Sequence, residues 1–200
     1  MVCRNGYQLV VVKSTVLPGI TEEIVIPLLE RSSGLKPGFD FGVCVSPEFL
    51  RHRYALHDAT NPKVIVIGAN TSSAGDILAD IYKDLSCPIV RMSLKEAELQ
   101  KYVHNLFNAT KISFFNEMRQ VSKELGLATQ SIFEATILSS EGLWNPQYGT
   151  RDWGPFGGSC LPKDLEAFKG WADDLGSSLY LVNAALEQNS QFRNADQCVE

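Results

Sequence analysis

The feature that most constrains the fold of this chain is a stretch of about 32 residues, Leu94 to Leu125, that contains neither proline nor glycine. Apolar residues recur in it at helical spacing: Leu99, Tyr102, Val103, Leu106, Phe107, Ile112, Phe115, Met118, Val121 and Leu125. Ser93 with Glu96 forms a capping-box start, and Gly126 suits the end. The pattern predicts one helix nearly 50 Å long at about 1.5 Å per residue. Such a helix is typical of a link between two domains or of an oligomer interface.

The segment before this helix alternates between two kinds of pattern. Short apolar, β-branched runs predict strands at Gln8–Val12, Phe41–Val45, Lys63–Gly68 and Pro88–Arg91. Helical patterns run from Thr21, as the expected cap, to about Arg31 with Pro27 inside, and from Ser72 to Leu85 with one apolar face of Ile77, Leu78, Ile81, Tyr82 and Leu85. This alternation predicts a parallel α/β layer. Ligands bind at the carboxyl edge of such sheets, where the polar turns Lys13–Gly19 and Ser46–His52 follow two strands.

The part after the long helix reads as helical. We expect a short helix at Ser131–Leu138, an aromatic, glycine-rich loop at Ser139–Gly158, a helix at Pro162–Leu175 and a last one from Leu179 to about Asn194. The fold class is therefore α/β, with a parallel half-layer over residues 1–92 and an all-helical region over residues 93–200.

Composition indicates a globular protein that binds neither nucleic acid nor membranes. The chain is 44% hydrophobic and 20% charged, which is ordinary for a globular protein. A net charge of −5 argues against nucleic-acid and membrane partners, and no apolar run reaches the roughly 18 to 20 residues of a membrane span. Five scattered cysteines without a Cys-x-x-Cys pair indicate a reducing, cytoplasmic location. No spacing of histidine, cysteine or acidic residues predicts a metal site.

Cys160 is the strongest candidate nucleophile in the sequence. It follows Gly157-Gly158-Ser159 and precedes Leu161-Pro162-Lys163-Asp164, and Pro162 suits the first turn of a helix. The N–H groups at a helix start stabilise a thiolate. The alternative is a small buried residue at a tight turn, but the paired glycines and the Pro-Lys-Asp sequence favour the nucleophile.

Two further positions could take part in chemistry. Lys101 and Asn105 lie four residues apart on one helix face, so they could stabilise an oxyanion. A solvated Lys101 that pairs with Glu98 is the alternative. Glu48 follows Pro47 at a strand end and is equally compatible with a general base and with a helix-start acid.

Two charged residues remain open on sequence grounds. His104 suits a surface or interface position better than a ligand role. Arg151, in the glycine-rich loop, could bind an anion or be solvated.

The chain resembles the UDP-glucose/GDP-mannose dehydrogenases, which are NAD-dependent nucleotide-sugar 6-dehydrogenases. The motifs occur in the family's order across nearly the whole chain: Lys13-Ser14-Thr15-Val16-x-Pro18-Gly19, Ser46-Pro47-Glu48-Phe49-Leu50-Arg51, Glu96-Ala97-Glu98-x-x-Lys101-Tyr102-x-x-Asn105, Asn108-Ala109-x-Lys111-Ile112-Ser113-x-x-Asn116-Glu117 and Phe156-Gly157-Gly158-Ser159-Cys160-Leu161-Pro162-Lys163-Asp164. The resemblance implies that residues 1–92 are the second half of a Rossmann-like NAD-binding domain. Residues 93–200 would then be the central, dimerising domain, with helix 93–125 forming the homodimer.

The resemblance also implies a four-electron oxidation of a sugar's C6 alcohol to a uronic acid with NAD as cofactor. Cys160 would carry the substrate as a thiohemiacetal and then as a thioester. Lys101 and Asn105 would stabilise the oxyanion, and Asp164 would orient water together with Lys101. Glu48 would be the base for thioester hydrolysis.

The remaining residues carried over by resemblance contact the cofactor and the substrate. Thr15 would hold a water near the nicotinamide, and the cofactor contacts would be Ser14, Thr15 and Lys163. The substrate contacts would be Glu48, Phe49, Leu50, Lys101, Asn105, Gly157 and Arg151, of which Arg151 would reach the neighbouring subunit's substrate.

The chain departs from the family pattern in two respects. His52 occupies the position of a usual second glutamate. The family's first strand, its Gly-x-Gly-Tyr-Val-Gly turn and its C-terminal nucleotide-binding domain have no counterpart in the 200 residues. Two hypotheses follow: the catalytic core segment of such a dehydrogenase, with UDP-glucose, GDP-mannose or UDP-N-acetylmannosamine as substrate, or a catalytically silent dimerisation or interaction domain.

Overall fold

A computed structural model describes residues 6–150 and 154–196. The chain forms two compact units, Met1–Phe107 and Asn108–Glu200. The division lies inside the long helix, whereas the sequence pattern changes at Ser93. The reason is that the first turns of this helix pack on the sheet of the first unit, where Leu94 and Ala97 are buried against Val45 and Val66.

The first unit contains a four-stranded sheet whose spatial order follows the chain. The strands are β1 (Gln8–Val12), β2 (Phe41–Val45), β3 (Ile65–Ala69) and β4 (Ile89–Met92). The pairs β1–β2 and β3–β4 are parallel, as predicted. The middle pair is antiparallel, so the prediction of a wholly parallel layer is wrong at this pair. A helical crossover returns the chain to the same end of the sheet before β2 and before β4, but β2 and β3 are joined by a segment with only short helical turns.

The helices of the first unit differ from prediction in detail. Residues Thr21–Val25 form a π-helical turn that continues as α1 (Ile26–Ser33). Thr21 is therefore the first helical residue and not the cap, and Pro27 is tolerated because it falls in the first turn of α1. After a 3₁₀ turn at His52–Tyr54 comes α2 (Ala55–Thr60), which the sequence did not predict.

The next helix, α3 (Ser72–Ile81), ends four residues before the predicted Leu85. Its buried residues are Ala74, Gly75 and Leu78, whereas Ile77 and Ile81 are exposed. The predicted apolar face is correct at Leu78 and at Tyr82, which packs against the same core just after the helix, and wrong at Ile77 and Ile81. Small residues such as Ala74 take the remaining contact positions and let α3 approach the sheet closely.

The long helix α4 (Leu94–Glu124) has 31 residues and confirms the main sequence prediction. The capping box forms reciprocally: the Ser93 N–H donates to Glu96 Oε2 at 2.7 Å, and the Glu96 N–H donates to Ser93 Oγ at 3.3 Å. Gly126 follows the helix with φ +66°. A Cβ at Gly68 would lie 2.7 Å from the Ala97 Cβ, so this glycine in β3 lets α4 start against the sheet.

The second unit is helical. Besides the end of α4 it contains α5 (Thr129–Ser139), α6 (Glu141–Trp144), α7 (Leu161–Asp174) and α8 (Tyr180–Asp196). Its core consists of Val121, Ala172 and Leu179. The helix α6 lies in the segment predicted as loop, where the Asn145 side chain donates to Glu141 Oε1 at 2.8 Å and closes a single turn.

Among the described residues, no helix has the length and hydropathy of a membrane span. Nor do three or more histidine, cysteine or acidic side chains among them come together in a way that could hold a metal ion.

Candidate active site

The carboxyl ends of β1 and β2 lie side by side and define the edge that the sequence indicated. Val12 pairs with Val45, and the Ser46 N–H donates to the Val12 carbonyl at 3.0 Å. The loops 13–19 and 46–51 therefore leave the sheet at the same edge, which is where α/β sheets bind ligands. Ser14 and Thr15 are exposed in the first loop.

Lys101 of α4 reaches the second of these loops. Its Nζ donates to the backbone carbonyl of Glu48 at 2.5 Å and lies 4.8 Å from the centroid of the Phe49 ring. Burial lowers the pKa of Lys101, and the nearby Glu48 carboxylate opposes that shift only in part. The structure thus brings Glu48, Phe49 and Lys101 together at the sheet edge. The alternative in which a solvated Lys101 pairs with Glu98 is wrong.

The next residues of α4 extend this cluster. The rings of His104 and Phe49 lie 4.8 Å apart between centroids, at 56°. Burial, and secondly the charge of Lys101, lower the pKa of His104. Asn105 is exposed one turn beyond Lys101, and Leu50 is exposed in the loop. His104 therefore packs against the loop, which differs from the surface or interface position expected.

Glu98 is the residue that sequence reasoning missed. It is only 2% exposed, and its two carboxylate oxygens accept the N–H groups of Gly19 at 2.5 Å and Thr21 at 2.9 Å. The sequence contained one signal: Glu98 lies four residues after Leu94 and beside Ala97, on the buried side of the helix. A charged residue at such a position needs partners in the fold.

Cys160 lies in the second unit, at the predicted helix start. It immediately precedes α7, and its carbonyl accepts the Asp164 N–H at 2.9 Å, with Pro162 in the first turn. Its side chain is exposed, with Ser159 Oγ 3.7 Å from its Sγ, so the buried alternative is wrong. Cys44 shows the contrast: it is buried in the sheet, and burial raises the pKa of its thiol to about 11.

The other predicted residues of the second unit lie near this helix start. Lys163 Nζ and Asp164 Oδ1 form an exposed ion pair at 2.7 Å. Gly157 is exposed, and Gly158 has a φ of +76°, which favours glycine at the turn before Cys160. Arg151 lies outside the described residues, as does the side chain of His52.

Family models match almost the whole chain in two consecutive parts. Residues 2–86 match the NAD binding domain of the UDP-glucose/GDP-mannose dehydrogenase family. Residues 95–191 match the central domain of the same family. Both matches agree with the resemblance read from the motifs, and the first confirms NAD as the expected cofactor.

Individual proteins agree with these matches. The GDP-mannose 6-dehydrogenase of Pseudomonas putida is 41% identical over 209 residues, which cover 100% of this chain and 48% of that protein. The UDP-glucose 6-dehydrogenase of Haloferax volcanii is 35% identical over 93% of this chain and 44% of that protein. The chain thus spans about half the length of the curated relatives it matches.

Solved structures share the fold. The crystal structure of a ternary complex of GDP-mannose dehydrogenase from Pseudomonas aeruginosa superposes with a TM-score of 0.88 at 38% identity, over 94% of this chain and 43% of that one. A UDP-glucose dehydrogenase from Pyrobaculum islandicum gives a TM-score of 0.63 at 42% identity, over 93% of this chain and 42% of that one.

Proposed function

The chain belongs to the UDP-glucose/GDP-mannose dehydrogenase family, and from that membership we propose that it serves the NAD-dependent oxidation of a nucleotide sugar's C6 alcohol to a uronic acid. The observation that carries the proposal is the cluster of Glu48, Phe49 and Lys101 at the carboxyl edge of the sheet. It sets a partly desolvated cation against the Glu48 backbone carbonyl, with the Glu48 carboxylate close enough to act on the charge, where α/β sheets bind ligands.

The described residues fit one end of a dinucleotide. The hydroxyls of Ser14 and Thr15 lie exposed at the sheet edge and would hold the nicotinamide end, with Lys163 as a further contact in the second unit. A Gly-x-Gly turn, which supplies N–H groups to a pyrophosphate, is not among the 200 residues. When bound, NAD accepts hydride from the substrate carbon.

Cys160 is the proposed nucleophile. Loss of a hydride and a proton converts the alcohol to an aldehyde, and the Cys160 sulfur then adds to the aldehyde carbon to form a thiohemiacetal. Loss of a second hydride and of the hydroxyl proton leaves a thioester. Water cleaves the carbon–sulfur bond, which releases the carboxylate and restores the thiol. The exposed thiol before the first turn of α7 supports this role.

The other residues of the proposal stabilise negative charge on the substrate oxygen or activate and orient the hydrolytic water. Lys101 and Asn105, one helical turn apart, stabilise the oxyanions of the addition and hydrolysis steps. Glu48 is the base that takes a proton from the hydrolytic water, and Asp164 orients that water. Phe49, Leu50, Gly157 and Arg151 are the further substrate contacts of the proposal.

GDP-mannose is the first candidate substrate. Six relatives named GDP-mannose 6-dehydrogenase are 40–43% identical to this chain, whereas two named UDP-glucose 6-dehydrogenase are 34–35% identical. Among the solved structures the GDP-mannose dehydrogenase superposes better, with a TM-score of 0.88 against 0.63, although the UDP-glucose dehydrogenase has the higher identity, 42% against 38%.

A homodimer through α4 is the proposed assembly. Leu99, Val103, Leu106 and Phe107, called here the apolar stripe, are each more than half exposed. They lie on the side of α4 opposite Leu94, Ala97 and Glu98, which pack on the first unit. A second copy of the chain would cover this stripe.

The second candidate function is a catalytically silent dimerisation domain. One observation favours it, namely the exposed apolar stripe of α4, which a second copy could cover whether or not the chain is catalytic. An assay of NAD-dependent nucleotide-sugar oxidation distinguishes the two candidate functions.

The deciding experiment assays two proteins: the complete product of the reading frame that contains these residues, and the 200-residue chain. With GDP-mannose and NAD we expect the complete product to form two NADH per sugar and the 200-residue chain to show little or no turnover. Cys160→Ser should lower uronic acid formation by on the order of a thousandfold or more, because the covalent route is lost.

Controls make this experiment specific. Cys87→Ser, a change of the same kind outside the proposed machinery, should retain parental activity. UDP-glucose and UDP-N-acetylmannosamine are assayed in parallel, and a preference for either overturns the choice of GDP-mannose. A complete product that oxidises none of the three sugars leaves the silent domain as the correct candidate.

A further inference from the structure

We propose that Glu98 is a positioning residue that fixes the loop bearing Ser14 and Thr15 to the helix bearing Lys101. The inference rests on the proposed function for its catalytic consequence, but its structural part can be tested without activity.

The carboxylate of Glu98 joins two distant parts of the chain. Its Oε2 accepts the Gly19 N–H at 2.5 Å, and its Oε1 accepts the Thr21 N–H at 2.9 Å, across 79 and 77 residues of sequence. Thr21 begins the helical run, and the first N–H groups of a helix have no partner within it. One carboxylate oxygen therefore satisfies the N–H group that the helical run leaves open at Thr21, and the other satisfies the N–H group of Gly19 in the preceding loop.

The environment makes this contact hard to replace by solvent. Glu98 is 2% exposed and Thr21 is completely buried. A buried carboxylate is costly unless it is hydrogen-bonded, and here two charge-assisted bonds and the positive end of the helical run compensate. Gly19 has a φ of +98°, and a Cβ there would lie 2.7 Å from Glu23 Oε1. Glu98 thus binds the loop at a left-handed residue that favours glycine.

Glu98 and Lys101 make α4 a common support for both loops of the sheet edge. They lie three residues apart and Asn105 lies seven beyond Glu98, so the three share one helix face. Glu98 holds the loop after β1 at Gly19, and Lys101 holds the loop after β2 at the Glu48 carbonyl. Loss of the Glu98 carboxylate would let the first loop, with Thr15, move relative to Lys101.

The test compares Glu98→Gln with Glu96→Gln. Both replace a carboxylate in the first turns of α4 that accepts backbone N–H groups, but Glu96 caps its own helix and is exposed. Glutamine keeps one acceptor oxygen, but its NH2 group cannot accept, so Glu98→Gln removes the acceptor of one of the two N–H groups. Hydrogen exchange at Gly19 or at Thr21 should therefore speed up at least about tenfold, the change expected on losing a bond to a charged group. Exchange at Val43 and Val45 should stay at the parental rate, and Glu96→Gln should leave Gly19 and Thr21 unchanged.

Turnover of the complete reading-frame product gives the second readout. We expect Glu98→Gln to lower kcat about tenfold with the KM for GDP-mannose unchanged, because the loop with Thr15 loses its position while the sugar contacts remain. Unchanged exchange at Gly19 and Thr21, or acceleration that extends equally to Val43 and Val45, overturns the proposal. If Glu98→Gln shows the fast exchange but has the same kcat as Glu96→Gln, the catalytic part of the proposal is wrong. If the parental protein oxidises no sugar, the proposed function fails, and the exchange result still decides whether Glu98 holds the loop.

Discussion

Lys101 experiences two opposing influences on its charge. Removal of its amine from water favours the neutral form and lowers its pKa, whereas the Glu48 carboxylate favours the cation. Desolvation is the larger influence. Because the folded state holds the Lys101 proton less tightly than the unfolded chain does, this group favours folding more as pH rises toward its ordinary pKa. A partly desolvated cation of this kind stabilises a developing oxyanion more strongly than a solvated one.

The pKa of His104 can be measured directly. Burial against Phe49 and the charge of Lys101 lower its pKa, so we expect an NMR titration midpoint below the ordinary value of about 6.5. Between that midpoint and about pH 6.5 the unfolded chain binds more protons, and the free energy of unfolding should therefore rise with pH across this window.

A second titration separates the two causes at His104. Lys101→Met removes the neighbouring charge and should raise the His104 midpoint. Phe49→Ala, made separately, exposes the ring to water and should raise the midpoint by more than Lys101→Met does, because burial is the larger cause. A midpoint at or above the ordinary value in the parental chain would contradict this account.

Among the elements, α4 begins with hydrogen bonds between residues that are close in sequence, Ser93 and Glu96. The Ser93 backbone N–H lowers the pKa of Glu96 by hydrogen bonding to the carboxylate, so this half of the capping box is lost as the pH falls below the carboxyl's ordinary range. The other half, from the Glu96 N–H to Ser93 Oγ, does not titrate. The helix then runs for 31 residues without a glycine or proline to interrupt it.

Ser93→Ala should lower the free energy of unfolding by about 1 kcal/mol, because Glu96 loses the acceptor for its N–H. Urea denaturation followed by circular dichroism measures the change. Ser32→Ala is the control, since the Ser32 hydroxyl only donates back to the Leu28 carbonyl within an exposed helix, where such bonds contribute little. Equal effects of the two substitutions would show that the capping box does not stabilise α4.

For the whole molecule, the apolar stripe is one surface that a single copy leaves exposed. Four large apolar side chains in adjacent turns of one helix exceed the scattered exposure that is normal for a monomer. The helix is about 46 Å long at about 1.5 Å per residue, long enough for an extensive contact with a second copy.

The chain should therefore sediment as a dimer at micromolar concentration, and Val103→Glu should shift it to the monomer by placing a charge at the centre of the stripe. Ala109→Glu is the matched control, since it introduces the same charge at an exposed position of α4 away from the stripe. Sedimentation velocity over a concentration series makes the measurement. A parental chain that stays monomeric at every concentration would rule out the dimer.

Much of the fold could be predicted from residues that are neighbours in sequence. Strands β1 and β2 have the predicted bounds, and α4 begins with the predicted capping box. The short helices α2 and α6 were not predicted, because six and four residues carry too little periodicity to be recognised. For the site, the sequence gives Cys160, Lys101 and Glu48 as candidates, and their catalytic roles stay predictions.

The sequence by itself determined the features that rest on contacts within one turn or one strand: the bounds of α4, the helix start after Cys160, and the order of the strands and the longer helices. Only the tertiary structure decided the antiparallel pairing of β2 with β3, the contact of Lys101 with Glu48 and the burial of Glu98 against Gly19 and Thr21. The physical reason is distance along the chain. A bond across 53 to 79 residues depends on how the sheet and α4 pack, and no local pattern at Lys101 or Glu98 encodes its partner.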